Sequence, residues 1–139
     1  MIKINHVAIV VSDLEEAIDF WVETLGLTLE KRERAEAEAV EIAFLPVGEG
    51  EIELLQPTGE ESGVARYLEN RGPGLHHLCL EVDDITGTME RLRERGVELI
   101  NETPRVSDDG QRRYAFIHPK SAGGVLLELY EFARDGGGD

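Results

Sequence analysis

A duplication constrains this chain more than any other feature. His6-Val7-Ala8-Ile9-Val10-Val11-Ser12-Asp13-Leu14 matches His77-Leu78-Cys79-Leu80-Glu81-Val82-Asp83-Asp84-Ile85 without a gap, 71 residues later. Each copy opens with a histidine on the alternation of a β-strand and then passes into a helical spacing. Leu14, Ala17, Ile18, Trp21 and Leu25 make one apolar face in the first copy, and Ile85, Met89 and Leu92 make it in the second. Ser12 with Glu15 reads as a capping box, Asp83 or Asp84 as the second cap, and Gly26 and Gly96 as helix-ending residues.

The repeat continues downstream. Glu41-Ile42-Ala43-Phe44-Leu45-Pro46 is answered by Arg113-Tyr114-Ala115-Phe116-Ile117-His118-Pro119 at an offset of 72, and Ile52-Glu53-Leu54-Leu55 by Leu127-Glu128-Leu129-Tyr130 at 75. Loop insertions produce such a slow drift. With Thr28–Lys31 and Glu98–Asn101 as the remaining strands, each half reads strand, helix, three strands. The expected fold is therefore α+β: two tandem βαβββ modules forming a cupped mixed sheet around a metal site, with helices on the outer face. Module one covers about 1–58 and module two about 74–132 of a single domain, 1–134. A helix over about 62–71 joins them, capped by Ser62, with Val64, Tyr67 and Leu68 inward. Residues 135–139 read as a disordered tail.

Strand parity sorts the side chains. One face carries Val7, Ile9 and Val11, Leu78, Leu80 and Val82, Ile42 and Phe44, Ile52 and Leu54, and Leu127 and Leu129, all suited to lie beneath helices. The other is read as carrying His6, Ala8, Glu41, Ala43, Glu53, Leu55, His77, Cys79, Arg113, Ala115, Glu128 and Tyr130. Polar groups beside small residues suit a ligand-holding concave surface. Since His6 is equivalent to His77 and Glu53 to Glu128, a pseudo-twofold arrangement brings all four to one point. Two imidazoles and two carboxylates suit zinc, cobalt, manganese, nickel or ferrous iron. A lone Glu in an apolar strand such as Leu126-Leu127-Glu128-Leu129 is costly unless paired or coordinated, and here it occurs twice. His76 has the opposite parity to His77 and is placed on the helix side or at a strand end. Glu41 reads either as a solvated strand residue, as an ion-pair partner of Arg113, or as a general base beside a metal-bound substrate.

Composition narrows the partners. A formal charge of −15 opposes binding to nucleic acid and to anionic membranes. No apolar run reaches the roughly 18 residues of a membrane span, and Met1 to His6 lacks a signal-peptide pattern, so a cytoplasmic location is expected. Cys79 is the single cysteine, which excludes an intrachain disulfide.

Gly74-Leu75-His76-His77-Leu78-Cys79-Leu80-Glu81-Val82-Asp83-Asp84-Ile85 and His118-Pro119-Lys120-Ser121-Ala122-Gly123-Gly124-Val125-Leu126-Leu127-Glu128-Leu129 closely resemble the methylmalonyl-CoA epimerase family of the vicinal oxygen chelate superfamily. His6-Val7-Ala8, Val40-Glu41-Ile42, Glu53-Leu54-Leu55-Gln56-Pro57 and Arg93-Glu94-Arg95-Gly96-Val97 support it. The resemblance implies His6, Glu53, His77 and Glu128 as ligands of one divalent metal per chain, with cobalt the leading expectation and zinc, manganese or nickel as alternatives. It implies Glu41 as the catalytic base, with Glu128 or a water serving the other face of the substrate. The implied reaction interconverts (R)- and (S)-methylmalonyl-CoA by proton transfer at C2 through a metal-stabilised enolate. The implied partners are a small-molecule acyl-CoA and a second copy in a homodimer.

An acidic chain that takes coenzyme A needs local positive charge, and Arg105, Arg112, Arg113 and Lys120 cluster in sequence with His118 near them. Arg113, Lys120 and Ser121 are the candidate substrate-binding residues, and a solvated charged loop interrupted by Asp108 and Asp109 is the competing reading. Some members of the resembled family carry Gln where this chain has Glu53. The chain's four ligands match those of glyoxalase I, which makes a lyase of that type the enzyme alternative. A non-catalytic ligand-binding module of the same fold is the other. An iron dioxygenase of this superfamily uses three protein ligands, and Glu53 argues against it.

Overall fold

Asp13 sets the first turn of the chain. Its backbone is extended (φ −141°, ψ 110°), and its carboxylate accepts the Glu16 N–H at 3.2 Å, so helix α1 (Leu14–Ile18) follows β1 (Lys3–Val10) directly. The cap lies one residue beyond the expected Ser12. A carboxylate satisfies the same orphan N–H as a hydroxyl and adds charge where the helix dipole favours it. Asp84 does the same for α3 (Ile85–Glu94), accepting from Gly87 N–H.

The computed structural model describes residues 2–107 and 109–133. The tail 135–139, read from sequence as disordered, lies outside these residues, as does Asp108. No described helix is long and apolar enough to cross a membrane. The chain forms two compact units, residues 6–76 and residues 1–5 with 77–139.

In the first unit, β2 (Lys31–Ala35), β3 (Val40–Val47) and β4 (Gly50–Pro57) are antiparallel neighbours, and β1 lies parallel beside β4. Ile9, Val11, Ile52 and Leu54 pack with Ala43 and Leu45 under Leu14, Ala17, Ile18 and Trp21. Past Ile18 the helix widens into a π turn (Asp19–Thr24), which shifts later residues around the axis. Leu25, expected on the buried face, is consequently exposed. Helix α2 (Gly63–Arg71), capped by Ser62 Oγ, lays Val64, Tyr67 and Leu68 on Ala8, Val10, Ile42 and Leu55. These belong to the opposite face of the same strands.

In the second unit, β5 (Gly74–Glu81) runs parallel to β8 (Leu127–Phe132), which pairs antiparallel with β7 (Arg112–Ile117), and β7 with the short β6 (Arg105–Val106). Leu80, Val82, Ile117, Leu127 and Leu129 pack with Ala115 beneath Ile85, Met89 and Leu92. Parallel and antiparallel pairs coexist, and the fold class is α+β as the periodicities predict.

The second strand of each module is displaced from its expected place. Residues 28–30 precede β2, and Leu27 and Leu29 anchor this returning segment in the core rather than joining a ladder. Leu99 makes a single bridge to Ile117 before β6 begins at Arg105. Apolar alternation reports which side chains are buried, and a segment that only crosses the core edge shows it as well as a paired strand does.

Candidate metal-binding and catalytic site

His6 and Glu53 meet within the first unit. Ala8 is level with Glu53 across the parallel β1/β4 pair, so His6, two residues earlier, shares its face. His6 Nδ1 stands 3.3 Å from Glu53 Oε2, with both residues buried. The second unit repeats this contact. Cys79 is level with Glu128 across β5/β8, and His77 Nε2 lies 3.1 Å from Glu128 Oε1. Glu128 is 5% exposed and Glu53 8%, values unusual for carboxylates flanked by leucines. Imidazole nitrogens and carboxylate oxygens are the donors that divalent transition metals take, and each unit presents one buried pair of them. Cys79, buried beside Glu128, has the small volume that Ala8 has beside Glu53.

Glu41 is not on this face. Phe44 is the residue opposite Glu53, and directly opposed residues of an antiparallel pair point the same way. Glu41 and Ala43 therefore point to the α1 side, where Ala43 is buried against Leu14. The Glu41 carboxylate accepts from Arg32 Nη2 at 2.7 Å, and the same nitrogen lies 2.6 Å from Glu15 of α1. These two carboxylates, Glu15 first, raise the Arg32 guanidinium above its ordinary value.

The same shift by one applies to β7. Phe116 is opposite Glu128, so Arg113 and Ala115 point toward α3. Arg113 pairs with Glu131 at 3.5 Å and donates to Thr86 Oγ1. Glu131 Oε1 accepts the Ile85 N–H at 2.7 Å, as Gln56 Oε1 accepts the Leu14 N–H at 2.6 Å. Residues 42–45 and 114–117 are apolar on both faces, so their sequence gives no parity signal. The large aromatics Phe44 and Phe116 imitate core residues, while Ala43, Leu45, Ala115 and Ile117 form the core. Phe116 is thus a neighbour of the His77–Glu128 pair, with Tyr114 beyond it on the same face, and sequence reading assigned neither a role. The signal that finds them is the ladder register.

Lys120 and Ser121 sit on a short 3₁₀ turn (Pro119–Ser121) and are engaged locally. Lys120 Nζ is 2.7 Å from Glu98 Oε1, and Ser121 Oγ accepts the Glu98 N–H at 2.9 Å. His76 packs edge-on against Tyr67, 5.0 Å between ring centres.

The family described as the Glyoxalase/Bleomycin resistance protein/Dioxygenase superfamily matches residues 5–116. The mitochondrial methylmalonyl-CoA epimerase of Homo sapiens is 36% identical over 91% of this chain and 72% of its own length. The ethylmalonyl-CoA/methylmalonyl-CoA epimerase of Cereibacter sphaeroides is 38% identical over 91% of this chain and 96% of its own. A solved structure of a Streptomyces coelicolor methylmalonyl-CoA epimerase variant with 2-nitronate-propionyl-CoA superposes with a TM-score of 0.84 at 32% identity, covering 94% of each chain.

Proposed function

Because the chain belongs to the Glyoxalase/Bleomycin resistance protein/Dioxygenase superfamily, and within it to the methylmalonyl-CoA epimerases, we propose that it is a metal-dependent isomerase interconverting (R)- and (S)-methylmalonyl-CoA. In this reading His6, Glu53, His77 and Glu128 together hold one divalent ion, cobalt first among zinc, manganese and nickel. The observation that carries it is the pair of buried imidazole–carboxylate contacts at equivalent positions of a duplicated chain. Each buried carboxylate costs several kcal/mol unless compensated, and one shared cation compensates both.

When bound, the ion held by these residues would supply Lewis-acid stabilisation of negative charge developing on the thioester oxygen. The chain's part is to orient C2 and to move its proton. Glu128 exchanges that proton on one face of C2, and a water serves the other. The hydrogen count of the substrate is unchanged and its configuration inverts. Glu41 takes no part, since its carboxylate is held by Arg32 on the reverse side of the strands. An acyl-CoA ligand, a homodimeric assembly and a cytoplasmic setting complete the proposal.

The test is deuterium incorporation at C2 of methylmalonyl-CoA in heavy water, with and without a chelator. Exchange that stops on chelation and returns with cobalt or another divalent ion is the expected result. Wild-type protein with bound metal that exchanges nothing, yet consumes methylglyoxal with glutathione, would instead place the chain with the lyases.

A further inference from the structure

Both parallel ladders close on the same backbone bond. Val11 N–H donates to Leu55 C=O at 2.9 Å just past the end of β1, and Val82 N–H donates to Tyr130 C=O at 2.8 Å just past the end of β5. One further rung follows in each unit, and a side chain makes it. Gln56 Oε1 takes the Leu14 N–H at 2.6 Å, and Glu131 Oε1 takes the Ile85 N–H at 2.7 Å. The donors are the first residues of α1 and α3, and each acceptor stands three residues beyond the glutamate of its imidazole–carboxylate pair. Leu14 and Ile85 are related by 71 residues, as the two histidines are, and Gln56 and Glu131 by 75, as the two glutamates are. The same cross-strand bond has therefore been kept in both halves of the duplication.

We propose that Gln56 and Glu131 are positioning residues for the metal donors: each fastens the glutamate strand of its unit to the helix that follows the histidine strand, and so fixes His6 against Glu53 and His77 against Glu128. This rests on the metal-binding reading given above. The ladders that carry these donors are short, five levels from His6 to Val10 in the first unit and four from Leu78 to Glu81 in the second. Parallel pairing is also the slightly weaker kind, while donors to a metal must be held within about 0.5 Å of their productive places. The other cap of each helix cannot do this. Asp13 and Asp84 accept from Glu16 N–H and Gly87 N–H, but both belong to the chain entering the helix and leave β4 and β8 untouched. The acceptor is also matched to the residue across from it. Glu131 stands level with Arg113, which lies 3.5 Å from its Oε2 and donates to Thr86 Oγ1 of α3 at 3.0 Å, leaving Oε1 to the Ile85 N–H. Gln56 stands level with Glu41, and a neutral amide there avoids opposing two like charges while keeping an oxygen for the Leu14 N–H.

The experiment measures the cobalt Kd and the cobalt absorption spectrum of wild type, Gln56→Leu, Glu131→Leu, Glu131→Gln and Asp13→Ala, together with amide hydrogen exchange at Val11 and Val82 in the metal-free proteins. Gln56→Leu and Glu131→Leu are each expected to weaken cobalt binding about tenfold, the lower end of what losing a supporting hydrogen bond behind a metal site costs, and to change the spectrum. Exchange is expected to quicken by about the same factor at Val11 in the first variant and at Val82 in the second. Glu131→Gln, which keeps the acceptor oxygen, is expected to restore both readouts toward wild type. Asp13→Ala, which removes a cap of the same helix without touching β4, is expected to bind cobalt as wild type does. Gln56→Leu carries the test alone if Glu131→Leu, which also unpairs Arg113, does not fold. Wild-type affinity and exchange in Gln56→Leu, or an equal loss in Asp13→Ala, overturns the inference. Wild-type protein that binds no cobalt, zinc or manganese, with Val11 exchanging faster in Gln56→Leu than in Asp13→Ala, would strike the metal reading and leave the fastening of the strands standing.

Discussion

Phe44 stands directly opposite Glu53 across β3 and β4, and Glu41, an odd number of residues away, consequently lies on the reverse face of those strands. This decides between two views of Glu41. As the catalytic base implied by resemblance, its loss would slow exchange at C2 by at least ~100-fold. As a partner of Arg32, partly exposed to solvent, it contributes about 0.2–1 kcal/mol to stability and nothing to proton transfer. Glu41→Gln is therefore expected to retain deuterium exchange within about threefold of wild type, with a small fall in Tm. Glu128→Gln, by contrast, is expected to abolish it. A hundredfold loss in Glu41→Gln would return Glu41 to the mechanism.

Metal binding has a readout that does not need the reaction. A ligand that binds only the folded chain at a hundred times its Kd stabilises it by about 2.7 kcal/mol, which for a domain of this size raises Tm by on the order of 8 °C. Cobalt, zinc or manganese is expected to do this for wild type, at one ion per chain by elemental analysis. His6→Ala and His77→Ala are each expected to lose most of the shift. A wild-type Tm that ignores both chelator and metal would contradict the four-donor site.

The duplication made the mixed α+β fold class and most of the apolar helix face legible, because these depend on position within a repeat rather than on contacts across strands. Equivalence matches His6 with His77 and Glu53 with Glu128; the contacts of His6 with Glu53 and of His77 with Glu128 come from the strand pairing. What stayed hidden depends on register. Ile42 through Leu45 and Tyr114 through Ile117 are apolar on both faces, so periodicity cannot say whether Glu41 and Arg113 face the histidine–glutamate pairs or the helices. The π turn at Asp19–Thr24 was equally unreadable, since a helical spacing looks the same until the wider turn has displaced Leu25. Ser12 and Asp13 are adjacent residues of comparable capping strength, and only the backbone angles choose between them.

That choice can be checked by stability. Asp13 Oδ1 accepts the Glu16 N–H and Ser62 Oγ accepts the Ala65 N–H. Asp13→Ala and Ser62→Ala are each expected to cost ~1 kcal/mol, measured by denaturant unfolding, against a change under about 0.5 kcal/mol for Ser12→Ala. A larger loss from Ser12→Ala than from Asp13→Ala would move the start of α1 back by one residue.

Lys120 offers the last test, because sequence reading assigns it to the substrate while the structure engages it with Glu98. The ammonium, 2.7 Å from the carboxylate, holds the Glu98 carboxyl below its ordinary 4.5, chiefly by donating a hydrogen bond. A depressed folded value means that the pair's contribution to stability is complete above about pH 4.5 and disappears as pH falls through the lower folded value. Both side chains are exposed, so that contribution is small. The sensitive observable is the titration itself. Followed by NMR, Glu98 is expected to titrate below its usual range in wild type and to return to it in Lys120→Met. The same variant is expected to change KM for methylmalonyl-CoA by less than about threefold, because the charge lost already had a partner. A Glu98 titration indifferent to Lys120, together with a large rise in KM, would place Lys120 on the substrate instead.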